Sequence, residues 1–394
     1  MTTANLLQQA NLAFEAQNNQ RGLQLLREYT AINGQDVEQL YRLAVIEEQI
    51  GLENNAAQAY LKCIALDENF IEAYLYAGYF FQQRGELEKA LALYSLGQDR
   101  DARLTLLYQH ESIAYPTRLR SHAAHLALCD HFTQLHSQSI KSNNNSDKIA
   151  AAIWPQTHNQ GFNYPSKQQQ PHLFYIPSLT AKGIHDASDF AWSKTLEAHF
   201  EDLSAEFSNL QALIKTHGVP YLAKGNYIEG FEALTGSKNW TALNLYKDGV
   251  ANEKLLAKMP KTAKMLAQLP LYKMNDNPYE VFFSLLKPGQ HITPHFGQSN
   301  HSLTVHLPII VPKGGYLTVA GENIAWQVGK VIVFDDSFEH EAINPTDEDR
   351  VVLIFSIWHP ELSATEQEDI LASFHARAQW LENRHQYLSP ASSA

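Results

Sequence analysis

The chain of 394 residues is poor in cysteine, in basic runs and in unbroken apolar runs, and each lack removes a class of protein. Two cysteines, Cys63 and Cys129, cannot build the disulfide framework of a small secreted domain, and two free thiols in a reducing cytoplasm is the reading they favour. Thirty Lys and Arg stand against 42 Asp and Glu, for a net charge of −12. No stretch gathers the basic residues, so nucleic acid is not an expected partner, because neutralising phosphates needs Lys and Arg on one surface. No segment reaches the roughly 18 continuous apolar residues of a membrane helix. The N-terminus, MTTANLLQQANLAFEAQ, lacks the basic start and apolar run of a secretory leader. A cytoplasmic protein without a membrane segment is therefore expected, its oligomeric state left open. With 44% hydrophobic and 18% charged residues, the chain has apolar material for two domains of ordinary size.

The first third repeats itself with a period of 34 residues: Gly51 recurs as Gly85, Ala56 as Ala90, Tyr60 as Tyr94, Ala44 as Gly78 and Leu40 as Tyr74, with Ala10 and Gly22 marking a more degenerate first unit. Small residues at these points let two helices approach closely, and the tyrosines fill the groove between units. That period and pattern resemble the tetratricopeptide repeat, an α-solenoid of helix pairs whose concave surface commonly holds a peptide or protein. Residues around 100–135 read as helices that close the solenoid. Asn, Ser and Gln runs follow, KSNNNSDK at 141–148 and SKQQQP at 166–171, and mark a loose linker. The expected division is 1–138 for the repeat domain, 139–170 for the linker and 171–394 for a second domain.

The second domain changes texture. Residues 188–214 carry apolar positions at three- and four-residue spacing and predict one long helix. From Tyr279 onward come short β-branched and aromatic runs, VFFSLL, SLTVHLPIIV, YLTVA, IAWQV, VIVF and VVLIFSIW, punctuated by KPGQ, PKGG, AGEN and VGK. Many short strands with turn signals predict a sandwich or barrel. The chain closes on a helix with Ser363 and Glu366 as capping box and Ile370, Leu371, Phe374 and Trp380 as apolar face.

Six of the 18 histidines lie between 291 and 359: His291, His295, His301, His306, His340 and His359. His340 sits in FDDSFEHEAIN, where His-Glu opens like a zinc-protease signature but position 344 is Asn344, so the second imidazole of such a site is missing. His340 read alone is a ligand, a base or a surface residue. His295, in PHFGQSN, precedes one strand, His340 follows another, and Arg350 starts a third. In a double-stranded β-helix, an early and a late histidine meet at the barrel mouth, and a basic residue on the next strand reaches inside. There a guanidinium suits a carboxylate because its planar fork binds it bidentately. The usual facial triad adds an acid two residues after the first histidine; here that residue is Gly297.

PGQHITPHFGQSN, VHLPIIVP, GKVIVFDDSFEHE, Arg350 and WHPEL together resemble the aspartyl/asparaginyl β-hydroxylase family, with weaker similarity through FYIPSLTAK, NWTALNLYKDG and MPKTAKMLAQLP, over about 171–362. Members are Fe(II)- and 2-oxoglutarate-dependent dioxygenases that hold iron with two histidines and no acid, so Gly297 agrees with the resemblance. The fold it implies is a double-stranded β-helix (jelly-roll, cupin-like) with flanking helices, after a repeat region that animal members also carry. It implies His295 and His340 as metal ligands, with no catalytic residue beyond the metal centre. It implies Arg350 and Ser284 at the distal carboxylate of 2-oxoglutarate, with His306 and Trp240 lining that pocket, and O₂ as second cosubstrate. Thr304 stands where a family arginine commonly contributes to the pocket, and Ser356 replaces an acid before WHP. The cysteine pair of the animal catalytic domain is absent, so the loop around 250–262 is not disulfide-tied. The activity implied is hydroxylation of the β-carbon of Asp or Asn in a protein or peptide delivered to the repeats, with succinate and CO₂ as co-products. The same chemistry on a small molecule or lipid acyl chain, and a non-catalytic scaffold, are the alternatives. Of the acids near His340, Asp336 is expected to support the site and Asp335, Glu339 and Glu341 to form a solvated turn. His291, His301 and His359 are expected in structural or surface roles, and Phe338 and Trp358 in the core.

Overall fold

The computed structural model describes residues 3–140, 147–224 and 230–388. It has two compact units: Met1–Gln138 with Thr157–Asn159 and Phe374–Ala394, and Ser139–Gln156 with Gln160–Ser373. The run KSNNNS at 141–146 lies outside the described residues.

The first unit holds three helix pairs: α1 Thr3–Glu15 with α2 Asn19–Ile32, α3 Val37–Gln49 with α4 Glu53–Leu66, and α5 Ile71–Gln83 with α6 Leu87–Arg100. The first helices begin at 3, 37 and 71 and the second at 19, 53 and 87, so the 34-residue period is kept to the residue. The turn inside each pair passes through positive φ at the same place, 57° at Gln17, 78° at Gly51 and 79° at Gly85. Two repeats meet this with glycine, which has no Cβ to strain; the first uses glutamine. Close approach explains the small positions: a Cβ on Gly78 would lie 2.4 Å from the Tyr94 ring. The period also governs polar contacts, since Tyr60 donates to Glu48 at 2.5 Å and Tyr94, 34 residues on, donates to Gln82 at 2.8 Å. A long helix α7, Tyr115–Ser139, follows. Phe132 of α7 and Trp380 pack edge to face at 5.3 Å in the same core.

The second unit is a two-sheet jelly-roll, and its main strands are labelled here in chain order: β1 Trp240–Lys247, β2 Glu280–Leu286, β3 Gln290–His295, β4 Ser302–Ile310, β5 Tyr316–Val319, β6 Glu322–Ala325, β7 Ile332–Phe334, β8 His340–Asn344 and β9 Arg350–Trp358. The larger sheet runs Ile184–His185, β7, β4, β9, β2, β1, Val219–Pro220, with Val250–Ala251 on β1; the smaller runs β6, β5, β8, β3. Every pairing is antiparallel, and the neighbours are mostly distant in sequence, as in a double-stranded β-helix. One face of the large sheet carries Phe283, Leu285, Val305, Leu307, Val351, Leu353 and Phe355 into a core with the helices. Period-2 alternation therefore turns Ser284, Thr304, His306, Arg350 and Val352 to the other face, toward the small sheet.

The helical stretch predicted at 188–214 is not one helix. It is three: α8 Ala191–Ala198, α9 Phe200–Ser208 and α10 Gln211–His217. His199 ends the first, its Nδ1 2.8 Å from the Thr195 carbonyl, a side chain competing with the backbone ladder. The apolar face survives the breaks, since Leu196, Leu203, Phe207, Leu210 and Ile214 are all buried in one core, and that is why periodicity alone reads it as continuous. The last helix α11, Ala364–Asn383, starts with the expected box: the Ser363 N–H donates to Glu366 at 2.8 Å and the Glu366 N–H to Ser363 Oγ at 3.3 Å. The glutamines of SKQQQP are not loose: the Glu339 N–H donates to the Gln168 carbonyl at 2.8 Å and the Gln170 N–H to the Ser337 carbonyl at 3.1 Å.

Candidate metal centre and cosubstrate pocket

His295 ends β3 and His340 begins β8, and the two are register partners in the small sheet. The register shifts between His340 and Ala342, a bulge of the kind that re-aims side chains at sheet ends. The imidazoles lie with centroids 4.1 Å apart. The two rings are held alike: Nδ1 of His295 is 2.7 Å from the Thr293 carbonyl, and Nδ1 of His340 is 2.9 Å from the Phe338 carbonyl. A carbonyl can only accept, so each Nδ1 carries the proton and each Nε2 presents a lone pair. Burial lowers His295 to about 3, with His340 as the next cause, and lowers His340 to about 4. Both rings are neutral at pH 7, the form that binds metal. Among the described residues no group of three or more His, Cys, Asp or Glu is arranged to hold a metal.

Gly297 shows why no acid completes the set. Its N–H donates to the Asp336 carbonyl at 2.6 Å. A Cβ at 297 would lie 2.5 Å from Asp336 Oδ1 and 2.8 Å from Asp336 O. The space of a 297 side chain is thus filled by Asp336 in the turn that leads into the other histidine's strand. Gly297→Asp is expected to cost about 1–3 kcal/mol through overpacking, with a further loss from two facing carboxylates. It should not raise metal affinity; urea unfolding and Mn(II) titration measure both effects.

Of the three acids expected in a solvated turn, Asp335 and Glu341 are instead drawn into contacts, and Glu339 is exposed. Asp335 is 1% exposed, accepts from Gln169 at 3.1 Å and from Ser337 Oγ at 2.6 Å, and burial pushes it up to about 7. Asp336 accepts from Thr304 Oγ1 at 3.0 Å and is raised to about 6 by burial. Glu341 pairs with His291 at 2.7 Å and accepts from Thr318 at 3.1 Å. The Nδ1 of His340 is held by a backbone carbonyl, with no acid bonded to the ring. Sequence reading could not see this, because Gln169, which draws Asp335 inward, is 166 residues away.

Deeper between the sheets lies Arg350, 1% exposed. Its Nη1 makes two long contacts, 3.4 Å to the Ser284 carbonyl and 3.4 Å to Ser284 Oγ. Its Nε has no partner and no carboxylate pairs with it among the described residues. Burial lowers it to about 9, still charged at pH 7. Ser284 Oγ also accepts from Trp240 Nε1 at 3.1 Å. Trp240 stacks on Tyr221 at 4.1 Å and on Phe231 at 6.4 Å, and Phe231 meets His295 edge-on at 5.2 Å. His306 is buried, its Nδ1 without a partner, and it is held well below its ordinary value by burial, then by the charges of Arg350 and His340. The Phe334 ring touches both His306, at 5.0 Å, and His340, at 5.6 Å. These contacts link Trp240, Ser284, His306, Arg350, His295 and His340 into one cluster. Thr304 joins it through Asp336 rather than through Arg350.

The remaining residues sit as expected of structural groups. His301 and His359 are buried, His291 is at the surface with Glu341, and Phe338 is 6% exposed in the core. Trp326, which the sequence did not single out, lies in the same core cluster with its ring 4.7 Å from the Arg350 guanidinium. Cys63 and Cys129 are free and buried. No helix among the described residues is long and apolar enough to cross a membrane.

Residues 197–360 match the Aspartyl/Asparaginyl beta-hydroxylase family, and all seven candidate site residues fall inside that span. Human aspartyl/asparaginyl beta-hydroxylase is 31% identical over 212 residues, covering 53% of this chain and 28% of that protein. Human aspartate beta-hydroxylase domain-containing protein 2 is 31% identical over 205 residues, 51% of this chain and 53% of that one. An ornithine lipid ester-linked acyl 2-hydroxylase of Rhizobium tropici is 28% identical over 180 residues, 45% of this chain and 60% of that one. The chain therefore spans between about a quarter and three fifths of these relatives' lengths.

Proposed function

The chain belongs to the aspartyl/asparaginyl β-hydroxylase family through residues 197–360, and from that premise we propose that it is an Fe(II)- and 2-oxoglutarate-dependent dioxygenase hydroxylating the β-carbon of an Asp or Asn residue in a protein or peptide. The residues present fit both groups. Two neutral imidazoles with free Nε2 atoms suit a divalent metal. Arg350 is a buried cation with an unpaired Nε and no protein anion, a state that costs several kcal/mol unless a ligand's carboxylate completes it. That buried guanidinium is the observation that carries the reading.

When bound, iron with 2-oxoglutarate and O₂ would supply the oxidising power that converts C–H to C–OH, releasing succinate and CO₂. The chain's own residues do the rest. Arg350, with Ser284 beside it, grips a distal carboxylate bidentately and sets how deep a dicarboxylate sits. The hydrogen bond from Trp240 orients the Ser284 hydroxyl toward the guanidinium. Phe231, Phe334 and Trp240 exclude water from the wall beside the histidines. The carbonyls of Thr293 and Phe338 keep both imidazoles in the metal-binding tautomer.

A peptide substrate held on the repeat helices and a cytoplasmic setting complete the proposal. A lipid acyl chain is the second reading, and the acyl 2-hydroxylase relative is the observation favouring it. Incubating the full chain with Fe(II), 2-oxoglutarate and a cell lysate should release succinate and produce a +16 Da product that metal-stripped protein does not make. A hydroxylated peptide supports the first reading and a hydroxylated lipid the second; no succinate and no Fe(II) binding would sink both.

A further inference from the structure

Arg350 is held from a side that the family resemblance did not mark. Trp326 follows strand β6 directly, is 6% exposed, and presents its ring face 4.7 Å from the Arg350 guanidinium carbon. Its own Nε1 is buried without a hydrogen-bond partner among the described residues. Position 315 is glycine, and a Cβ there would sit 3.3 Å from the Trp326 Cζ3 and 3.2 Å from the Ile343 carbonyl. The indole thus packs close to the Gly315 backbone, where a side chain would press on it, and this packing restrains its placement against Arg350.

Two facts about the guanidinium make this contact consequential. Its polar contacts, both from Nη1 to Ser284, are at the 3.4 Å limit and on one edge. A guanidinium so loosely bonded would rotate about its side-chain torsions, and each orientation other than the fork facing a ligand is lost binding. A ring face 4.7 Å away restrains the plane while leaving the in-plane donors open. The aromatic quadrupole also offsets part of the cost of burying a cation without an anion.

We propose that Trp326 is a positioning residue for the dicarboxylate cosubstrate: its stacking holds the Arg350 fork in the plane that receives the distal carboxylate. This rests on the proposed function, because it takes Arg350 as the carboxylate grip.

The test is equilibrium binding, with no turnover required. Full-length protein loaded with Mn(II) is titrated anaerobically with 2-oxoglutarate, following tryptophan fluorescence and calorimetry. Trp326→Leu, which stays apolar but removes the aromatic face, should weaken 2-oxoglutarate binding about tenfold, while Trp326→Phe, which keeps a ring, should recover to within about threefold of the parent. Mn(II) affinity should be unchanged in both, which a general loosening of the fold would not allow. Part of the fluorescence change on binding should vanish in Trp326→Phe. Equal losses in the Phe and Leu variants would overturn the stacking role and assign the indole N–H as a direct donor. Parent-like binding in Trp326→Leu, with binding still lost in Arg350→Leu, overturns the Trp326 role and leaves the proposed function standing. No 2-oxoglutarate binding by the parent protein overturns both.

Discussion

Arg350→Leu should weaken 2-oxoglutarate binding about 100- to 1,000-fold and make the ligand-free protein more stable. The two effects have one cause. The guanidinium is wholly buried and charged, has no carboxylate partner, and makes only 3.4 Å contacts to Ser284. In the ligand-free fold it is an uncompensated charge, and replacing such a group by an apolar one of similar volume gains about 1–4 kcal/mol. With the dicarboxylate bound, the same fork makes charge-assisted hydrogen bonds in a dry site, and losing them costs about 3–4 kcal/mol, or 100- to 1,000-fold in Kd. Urea unfolding of the ligand-free protein and calorimetric titration of the Mn(II) form read the two effects separately. Arg350→Lys keeps the charge without the fork and should fall between, near tenfold weaker. A destabilised Leu variant with parent-like 2-oxoglutarate affinity would show that the arginine is structural and would remove the main support for the dioxygenase reading.

That opposition of stability and binding also explains what the sequence revealed and what it hid. Patterns set by local chemistry were legible: the 34-residue period returns as helix starts at 3, 37 and 71, and the Ser363–Glu366 box closes as expected. The β runs separated by Gly and Pro return as antiparallel strands. Features set by distant partners were not legible. Gln169 buries Asp335 from 166 positions away. Asp336 fills the space beside Gly297 because β3 and the β7–β8 turn meet there, so the missing acid has a steric reason invisible along the chain. His199 breaks a helix whose apolar stripe runs on unbroken. Trp326 looked like one more strand aromatic, and only the fold puts it over Arg350. The histidines illustrate both cases: six occur between 291 and 359, and spacing alone gives no way to rank them.

His295 and His340, picked out by the family resemblance and adjacent in the small sheet, carry the second large effect. His340→Ala should remove metal binding at micromolar concentrations and reduce 2-oxoglutarate-dependent succinate formation by at least about 1,000-fold. In a site with three protein ligands, losing one leaves a chelating pair. With His295 and His340 as the two proposed ligands, either substitution leaves a single imidazole, too weak to compete with water. The carboxylate of Asp336 does not replace it, since Thr304 already donates to it. The variant should nonetheless fold. His340 lies at a strand start, and its ring is held by backbone hydrogen bonds, among them one to the Phe338 carbonyl. Its loss should cost about 1 kcal/mol, a small downward shift in Tm. His291→Ala is the matching control, one strand position from the register partner of Ala342 and bonded to Glu341 at the surface; it should leave metal affinity and turnover within twofold. If His291→Ala and His340→Ala lost metal equally, the centre would have to be redrawn along β3 and β8. If only His340→Ala and His295→Ala lose it, two histidines at the mouth of the jelly-roll suffice as the protein's share of the metal centre.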